Sequence, residues 1–175
     1  MENLIKTLIS RFDIFDLQQK KDYQIFCSVQ KAKLLPMIEY LKSFEGFVNL
    51  ILITAVDWIE DGKFQITYML NNPETKTDLG LRTFISRDGE NMDSIHTLWG
   101  HAATFQREMK EMYGIDFPGS PRVDEPFLLE GWDNMPPMRR DFDTKKYSEE
   151  TYFPRPGRTT YDPATYMKQK LYPDE

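Results

Sequence analysis

Apolar and polar positions follow two different periods along the first two-thirds of the chain, and each period predicts a type of element. Apolar residues recur at helical spacing over 4–12, 34–44 and 101–113, which predicts three helices. Pro36 is compatible with the second helix only in its first turn. Gly114 follows the third helix, where a glycine supplies the left-handed C-cap.

Alternation predicts strands over 23–29, 64–70 and 79–85, and a largely apolar run predicts another over 47–58. In chain order the strands are 23–29, 47–58, 64–70 and 79–85. The Asp-Gly pair at 61–62 indicates a hairpin between the second and third of them. Helices that precede and follow antiparallel strands are typical of an α+β fold. We therefore expect a mostly antiparallel sheet that is covered by helices on one face.

Proline usage changes sharply at residue 118, because nine of the 11 prolines lie at or beyond that position. Proline lacks an amide donor and restricts φ, so this stretch cannot form long helices or internal strands. We predict an α+β core domain at 1–117 and a long extended docking tail at 118–175, rich in proline and aromatic residues. The last part of this tail, 145–175, has few local contacts, and its ordering is expected to need a second protein. Its later aromatic residues show no period and are Tyr147, Tyr152, Phe153, Tyr161, Tyr166 and Tyr172.

Charge and hydropathy exclude two broad classes of function. The net charge of −6 is opposite to the basic footprint of a nucleic-acid binder, so no nucleic-acid partner is expected. No run of 18 apolar residues exists, and the first residues lack the pattern of a signal peptide. We therefore expect a cytoplasmic protein that does not itself span a membrane.

Residues of the types that usually serve in catalysis or metal binding are few in this chain. Cys27 is the single cysteine, which excludes an intramolecular disulfide, a cysteine-ligated iron–sulfur cluster within this chain and a zinc ribbon. It lies on the inward phase of a strand, where a small buried residue is expected. His96 and His101 are five positions apart, so on a helix their side chains diverge by about 140°, which indicates helix-end packing or capping rather than a metal pair. We predict no catalytic, cofactor-binding or metal-binding residues here.

Two segments have an amphipathic or apolar character that ordinary packing does not explain. In 105–117 a helix leads directly into the proline-rich region, and in 131–142 bulky apolar residues flank two adjacent arginines. Exposed apolar groups of this kind usually mark a partner surface. Alternatively, the segment folds back on its own core, and the two interpretations are compatible. The apolar residues concerned are Trp132, Met135, Met138 and Phe142.

The residues of these two segments, in their order and spacing, resemble the sequence signature of a known protein family. The matching stretches are Gln-Arg-Glu at 106–108, Tyr-Gly-Ile-Asp-Phe-Pro-Gly at 113–119, Gly-Trp at 131–132, Pro-Met-Arg-Arg-Asp-Phe at 137–142, Thr-Ala-Val-Asp-Trp at 54–58 and Ser-Ile at 94–95. Over residues 20–143 the chain is similar to the family of the respiratory-chain NADH dehydrogenase 30 kDa subunit, the small hydrophilic subunit of complex I, which has relatives in membrane-bound hydrogenases.

Departures from that signature point to a diverged branch of the family. Gln106 stands where the family has Glu, Ser120 where it has His, and Arg140 where it has Lys, while 136–137 is a double proline. We interpret these differences as typical of energy-converting hydrogenases or related sulfur-reducing complexes. Membership in an ordinary complex I, the NADH-quinone oxidoreductase, remains the alternative.

The resemblance implies a non-catalytic, cofactor-free subunit in the peripheral arm of an ion-translocating electron-transfer complex. It would dock on the large hydrogenase-like (49 kDa-type) subunit and on iron–sulfur subunits. Those neighbours would carry iron–sulfur clusters and, in some complexes, a nickel–iron centre. Membrane association would be indirect, on the cytoplasmic side of the cell membrane.

The partner interface that the resemblance implies includes charged and aromatic residues from both segments. Arg139, Arg140 and Asp141 would be ion-pairing anchors, whereas Arg107 and Glu108 either contact the partner or lock the helix to the tail. The other expected interface residues are Tyr113, Asp116, Trp132 and Phe142. Two further functions stay open: a small-molecule enzyme that uses Cys27, His96 or His101, and a free-standing module whose paired arginines bind an acidic ligand.

Overall fold

The computed structural model describes residues 2–151 of the chain. The predicted aromatic positions from Tyr152 onward lie outside the described residues. None of the helices within 2–151 combines the length and the apolar character that crossing a bilayer requires. The elements are α1 (Glu2–Phe12), β1 (Phe15–Lys21), β2 (Gln24–Ser28), α2 (Lys31–Phe44), β3 (Asn49–Trp58), a 3-10 turn (Ile59–Asp61), β4 (Lys63–Asn72), β5 (Thr77–Ser86), α3 (Ala102–Tyr113) and α4 (Thr144–Thr151).

The five strands form one sheet in the order β1-β2-β5-β4-β3. β2 pairs with β5 in parallel, and the three other pairs are antiparallel. In this register Ile66 of β4 lies between Ala55 of β3 and Thr83 of β5, and all three side chains face the same side. The mixed, mostly antiparallel sheet confirms the α+β prediction.

One face of this sheet carries the hydrophobic core, because inward positions of the strands alternate with outward ones. α2 contacts β5, and α3 contacts β3. Leu8 of α1 is also buried in the same core. Helical coverage of one face is therefore confirmed. The buried residues of α2 and α3 are Leu34, Met37, Ile38, Leu41, Ala102, Gln106, Met109 and Tyr113.

The structure differs from the sequence prediction in three elements. α2 begins at Lys31, so Pro36 lies in the second turn, and the prediction of a first-turn proline is wrong. Pro36 has no amide hydrogen, so the carbonyl of Ala32 lacks its usual helical donor. β1 was not predicted because its side chains are almost all exposed, and an edge strand without a buried face has no apolar period. The short helix α4 was not predicted either.

Contacts between residues group the chain into two units. The first runs from Met1 to Phe142, and the second begins at Asp143. The described part of the second unit consists of Asp143 and α4. The Lys146 amide, in the first turn of α4, donates a hydrogen bond to the Asp143 carboxylate (2.9 Å). The predicted division of the chain at residue 117 stays a prediction.

The sheet face opposite the core is unusually apolar for an exposed surface. Val56, Trp58 and Phe84 are exposed there. On the same face, the Phe26 ring lies across Gly80 and occupies the space that a Cβ atom at Gly80 would need. This apolar surface was not predicted, because the sequence does not distinguish apolar strand residues that are exposed from those that are buried.

Candidate docking surface

The candidate surface is built around the C-terminal end of α3. Gly114 ends this helix with a φ of 77°, which confirms the predicted left-handed cap. The Gly114 amide donates to the Lys110 carbonyl (2.9 Å), and the Ile115 amide donates to the Met109 carbonyl (3.4 Å). This turn buries Ile115 and Phe117 and redirects the chain away from the helix axis.

Residues 131–142, which we call the return loop, pack against this helix end. The Met138 amide donates to the Met112 carbonyl (3.0 Å), and the Arg139 Nε donates to the Tyr113 carbonyl (2.8 Å). Both carbonyls belong to the last turn of α3, which has no intrahelical donors of its own. A cation at this end also interacts favourably with the helix dipole. The return loop therefore completes the C-terminal cap of α3.

The three predicted ion-pairing residues, Arg139, Arg140 and Asp141, all have partners within the chain. Arg140 Nη1 lies 2.7 Å from both carboxylate oxygens of Glu60, and Asp141 accepts a hydrogen bond from Arg87 Nη2 (2.8 Å). Arg139 has the backbone partner already described. The structure thus places the paired arginines where they hold the return loop on its own core.

Two residues that the prediction missed, Asp57 and Arg87, lie at the centre of this arrangement. The Asp57 carboxylate is 1% exposed, and its Oδ2 accepts from Arg87 Nη2 (3.0 Å) and from the Arg140 amide (2.9 Å). Arg87 Nε is also 2.7 Å from Asp57 Oδ1, but off the hydrogen-bond direction, so that contact is an ion pair. A sequence signal existed: Asp57 continues the inward phase of Ile53 and Ala55, and a buried carboxylate needs a partner.

Arg87 is held charged by its surroundings. Desolvation lowers the pKa of Arg87, but hydrogen bonds to Asp57 and Asp141 and the charges of both carboxylates outweigh it, so the pKa is raised. Its guanidinium carbon lies 5.7 Å from the centre of the Phe64 ring, and that of Arg139 lies 5.3 Å from the same ring. The aromatic face therefore supports two cations at once.

Arg107 and Glu108 belong to α3, and their side chains differ in the contacts that they make. The Arg107 guanidinium lies over the ring of Phe127 at 5.4 Å. One turn further on, the Glu111 carboxylate accepts hydrogen bonds from the amides of Phe127 (2.7 Å) and Leu128 (2.8 Å). Arg107 thus helps to lock the helix to the following segment. The Glu108 side chain makes no hydrogen bond or ion pair with the rest of 2–151, and Glu108 is half-buried.

Tyr113 and Asp116, the remaining predicted residues near the cap, serve local structure. Tyr113 is buried with its ring edge-to-face against Phe64 (6.1 Å between centroids). Asp116 lies 2.7 Å from the Lys110 ammonium, and this contact lowers the pKa of Asp116. Lys110 also pairs with Asp124, which ties the helix to the loop beyond the cap.

Apolar side chains of the return loop divide into two groups. Trp132 and Phe142 are half-buried against each other, with ring centroids 5.6 Å apart, and the Trp132 indole donates to the Met135 carbonyl (3.1 Å). Met135 and Met138 point outward, with 39% and 53% of their surfaces exposed. Trp132 and Phe142 therefore fit the interpretation that the segment folds back on the chain, whereas Met135 and Met138 stay accessible to a partner.

Cys27, His96 and His101 are not brought together. Cys27 is buried on β2, and burial raises the pKa of its thiol to about 12. The His101 Nε2 contacts the Leu50 carbonyl at the edge strand β3 (3.0 Å), and His96 Nδ1 contacts the Ser94 hydroxyl (2.9 Å). β5 and β4 separate β2 from β3. In the described part of the chain, no group of three or more His, Cys, Asp or Glu side chains could hold a metal ion.

Comparison with known proteins identifies the family. Residues 27–148 match the model of the respiratory-chain NADH dehydrogenase 30 kDa subunit. The C 1 subunit of NADH-quinone oxidoreductase from Rhizobium etli (strain CIAT 652) is 30% identical over 166 residues, which cover 93% of this chain and 81% of that protein. The C/D 2 subunit from Aquifex aeolicus (strain VF5) is 31% identical over 110 residues, 62% of this chain and 18% of that protein. The chain belongs to the family of the respiratory-chain NADH dehydrogenase 30 kDa subunit.

Solved structures show the same fold. A chain of the membrane-bound sulfane sulfur reductase, an archaeal respiratory membrane complex, superposes with a TM-score of 0.81 at 23% identity, covering 92% of this chain and 96% of that chain. The trypsin-resistant fragment of Nqo5 superposes with a TM-score of 0.61 at 18% identity, covering 69% of this chain and 96% of that chain.

Proposed function

We propose that this chain is a non-catalytic, cofactor-free subunit of a membrane-bound respiratory oxidoreductase complex, and that it stabilises the peripheral arm of that complex. Its relatives are named as subunits of NADH-quinone oxidoreductase, and a chain with the same fold belongs to a respiratory membrane complex. The proposed partners are the large hydrogenase-like subunit and the iron–sulfur subunits, on the cytoplasmic side of the membrane. The iron–sulfur clusters, and any nickel–iron centre, would belong to those neighbours.

The observation that carries the docking proposal is the return loop. It lacks regular secondary structure, yet contacts of residues 138–140, near its C-terminal end, hold it on α3 and β3. Met135 and Met138 project from it into solvent, and Leu128, which is 72% exposed, precedes it. A fixed loop that exposes flexible apolar side chains is suited to bind a complementary protein surface at a low entropic cost.

The predicted ion anchors enter this proposal in a revised role. Arg139, Arg140 and Asp141 are engaged within the chain, so their contribution to docking is to hold the loop that makes contact. Glu108, the half-buried predicted residue without an internal ionic partner in the described residues, is proposed to contact the partner directly. The residues after Phe142, which the prediction assigned to the docking tail, are proposed to bind a partner subunit as well.

The test is recovery of partner subunits from native membranes through an affinity tag on the full-length chain. We expect the double variant M135S/M138S to reduce the recovered large subunit at least about tenfold, because loss of two buried anchors costs more than about 1.4 kcal/mol of binding free energy. The matched control is F44S, since Phe44 is 77% exposed at the end of α2 and equally apolar. Full recovery with M135S/M138S would show that the return loop is not the docking surface.

Which complex the chain joins is a separate question, on which two observations differ. Relatives at about 30% identity are named as C subunits of NADH-quinone oxidoreductase, which supports an ordinary complex I. Two of the departures from the family signature, Gln106 and Ser120, lie inside the fold, whereas Arg140 is exposed; the buried departures are those expected for a diverged branch. Mass spectrometry of the recovered subunits distinguishes the two: a flavin-containing NADH-oxidising module indicates complex I, and a hydrogenase or sulfur-reducing set without that module indicates the branch.

A further inference from the structure

Two short stretches that lie far apart in the sequence meet at one buried carboxylate. Asp57 ends the inward face of β3, and Arg140 follows it by 83 positions. The Arg140 amide donates to Asp57 Oδ2, so this bond fixes the backbone of the return loop rather than a flexible side chain. The Asp57 carboxylate therefore helps to hold the backbone of the turn at 139–142 in place.

Arg87 connects the same carboxylate to a second one. Its Nη2 atom lies 3.0 Å from Asp57 and 2.8 Å from Asp141, so one guanidinium bridges an acid on the sheet and an acid on the loop. A planar guanidinium can make both contacts at once, whereas an ammonium lacks that fixed fork. Loss of either Asp57 or Arg87 therefore breaks the bridge between sheet and loop.

Arg139 adds a second positive charge close to Arg87. Among the described residues it has no carboxylate partner, and its guanidinium contacts the carbonyls of Tyr113 (2.8 Å) and Arg87 (3.5 Å). It shares the Phe64 ring with the guanidinium of Arg87, so two cations lie close together. Asp57 is the buried anion that offsets their repulsion.

We infer that Asp57, acting with Arg87, is a positioning residue that sets the conformation of the return loop in which Met135 and Met138 face a partner. This inference rests on the proposed docking function. It differs from an ordinary stabilising ion pair because its effect is local: the sheet and α3 keep their own hydrogen bonds when the bridge is removed.

The experiment uses the full-length chain with the double variant D57L/R87M. Removing both charges together avoids an unpaired buried charge, so the core is expected to fold. Hydrogen exchange measured by NMR should show the Arg140 amide exchanging at least about tenfold faster, since it loses its acceptor and the loop opens locally. The Tyr68 amide, in the central strand β4, should keep its rate within about twofold.

The matched control is D13N, which removes the exposed carboxylate that pairs with Lys33 of α2 and leaves Asp57 in place. We expect D13N to preserve both the Arg140 exchange rate and the recovery of partner subunits, and D57L/R87M to lower that recovery as strongly as M135S/M138S does. An unchanged Arg140 exchange rate in D57L/R87M would overturn the positioning role. Fast exchange with full recovery would overturn it as well, because the loop would then not need to be preformed.

These outcomes are separate from failure of the proposed function. If M135S/M138S leaves recovery unchanged, docking by the return loop is refuted whatever Asp57 does. If M135S/M138S lowers recovery and D57L/R87M does not, only the positioning inference fails. Should D57L/R87M prove unfolded, R87M and R87K replace it: R87K retains one cation beside Asp57 and should slow the exchange of the Arg140 amide relative to R87M. Equal rates in these two variants would also refute the inference.

Discussion

Gly114 provides a direct measure of how tightly the return loop packs on the end of α3. Its φ is 77°, and a Cβ atom built on it would lie 3.3 Å from Pro136 Cγ and 3.4 Å from Arg139 Nη2. Gly62 has a similar φ of 62° at the end of the 3-10 turn, but no atom lies within 4 Å of its Cβ position. G62A is therefore a control for backbone strain alone.

The expected magnitudes follow from these two environments. An alanine in the left-handed region costs roughly 1–2 kcal/mol, and this applies to G62A and G114A alike. G114A adds a contact with the proline ring, which the loop backbone holds in place, and overpacking of this kind costs about 1 kcal/mol at its lower end. We expect the unfolding free energy to fall by about 1–2 kcal/mol in G62A and by about 2–3 kcal/mol in G114A.

Urea denaturation of the full-length chain measures both values, and hydrogen exchange at the Met138 amide measures the local effect. In G114A this amide should exchange faster, because the displaced loop loses the bond from Met138 to the Met112 carbonyl. In G62A its rate should not change beyond the effect of global stability. Equal losses of stability in the two variants, with equal Met138 exchange, would refute the packing of the loop on Gly114.

Three further predictions concern other parts of the fold. Cys27 should react with a thiol reagent at pH 8 only as fast as the chain opens, because it is buried and its pKa is about 12; rapid labelling of the native chain would contradict this. The pKa of Asp116 is lowered by Lys110, so its contribution to stability is present above the unfolded pKa and is lost as pH falls below about 4. D116N should therefore weaken the acid dependence of the urea midpoint, and an unchanged dependence would contradict the pairing. G80A should destabilise the chain by about 1–3 kcal/mol because the Phe26 ring occupies the Cβ position, and the loss should largely disappear in an F26A background.

Elements with a strong apolar period were predictable from sequence, and those without one were not. The alternation in β4 and β5 and the helical spacing in α3 have a direct cause, since each element buries one face. β1 escaped prediction because an exposed edge strand is held by its backbone pairing with β2, which leaves no trace in side-chain polarity. The start of α2 was misplaced because the first three residues of the helix, Lys31, Ala32 and Lys33, include no large apolar residue that would mark a buried face.

The candidate docking surface shows a different limit of prediction from sequence. The Arg-Arg-Asp stretch at 139–141 was predicted to pair with a partner protein. In the structure Arg140 pairs with Glu60 and Asp141 with Arg87 of the same chain, whereas Arg139 binds backbone carbonyls. Sequence alone cannot decide between an internal and an external partner, because both satisfy a charged side chain equally well. The decision depends on the hairpin of β3 and β4 bringing Asp57 and Glu60 beside the end of α3, which is a tertiary fact.

The placement of these partners determines how the docking surface responds to mutation. Residues that hold the return loop lie on three separate elements, whereas Met135 and Met138, which are proposed to make contact, lie in the loop itself. A change at Met135 or Met138 alters only the binding surface, while a change at Asp57 or Arg87 alters the position of the whole loop. We therefore expect binding energy and loop geometry to be separable in this protein, and the M135S/M138S and D57L/R87M variants probe one each.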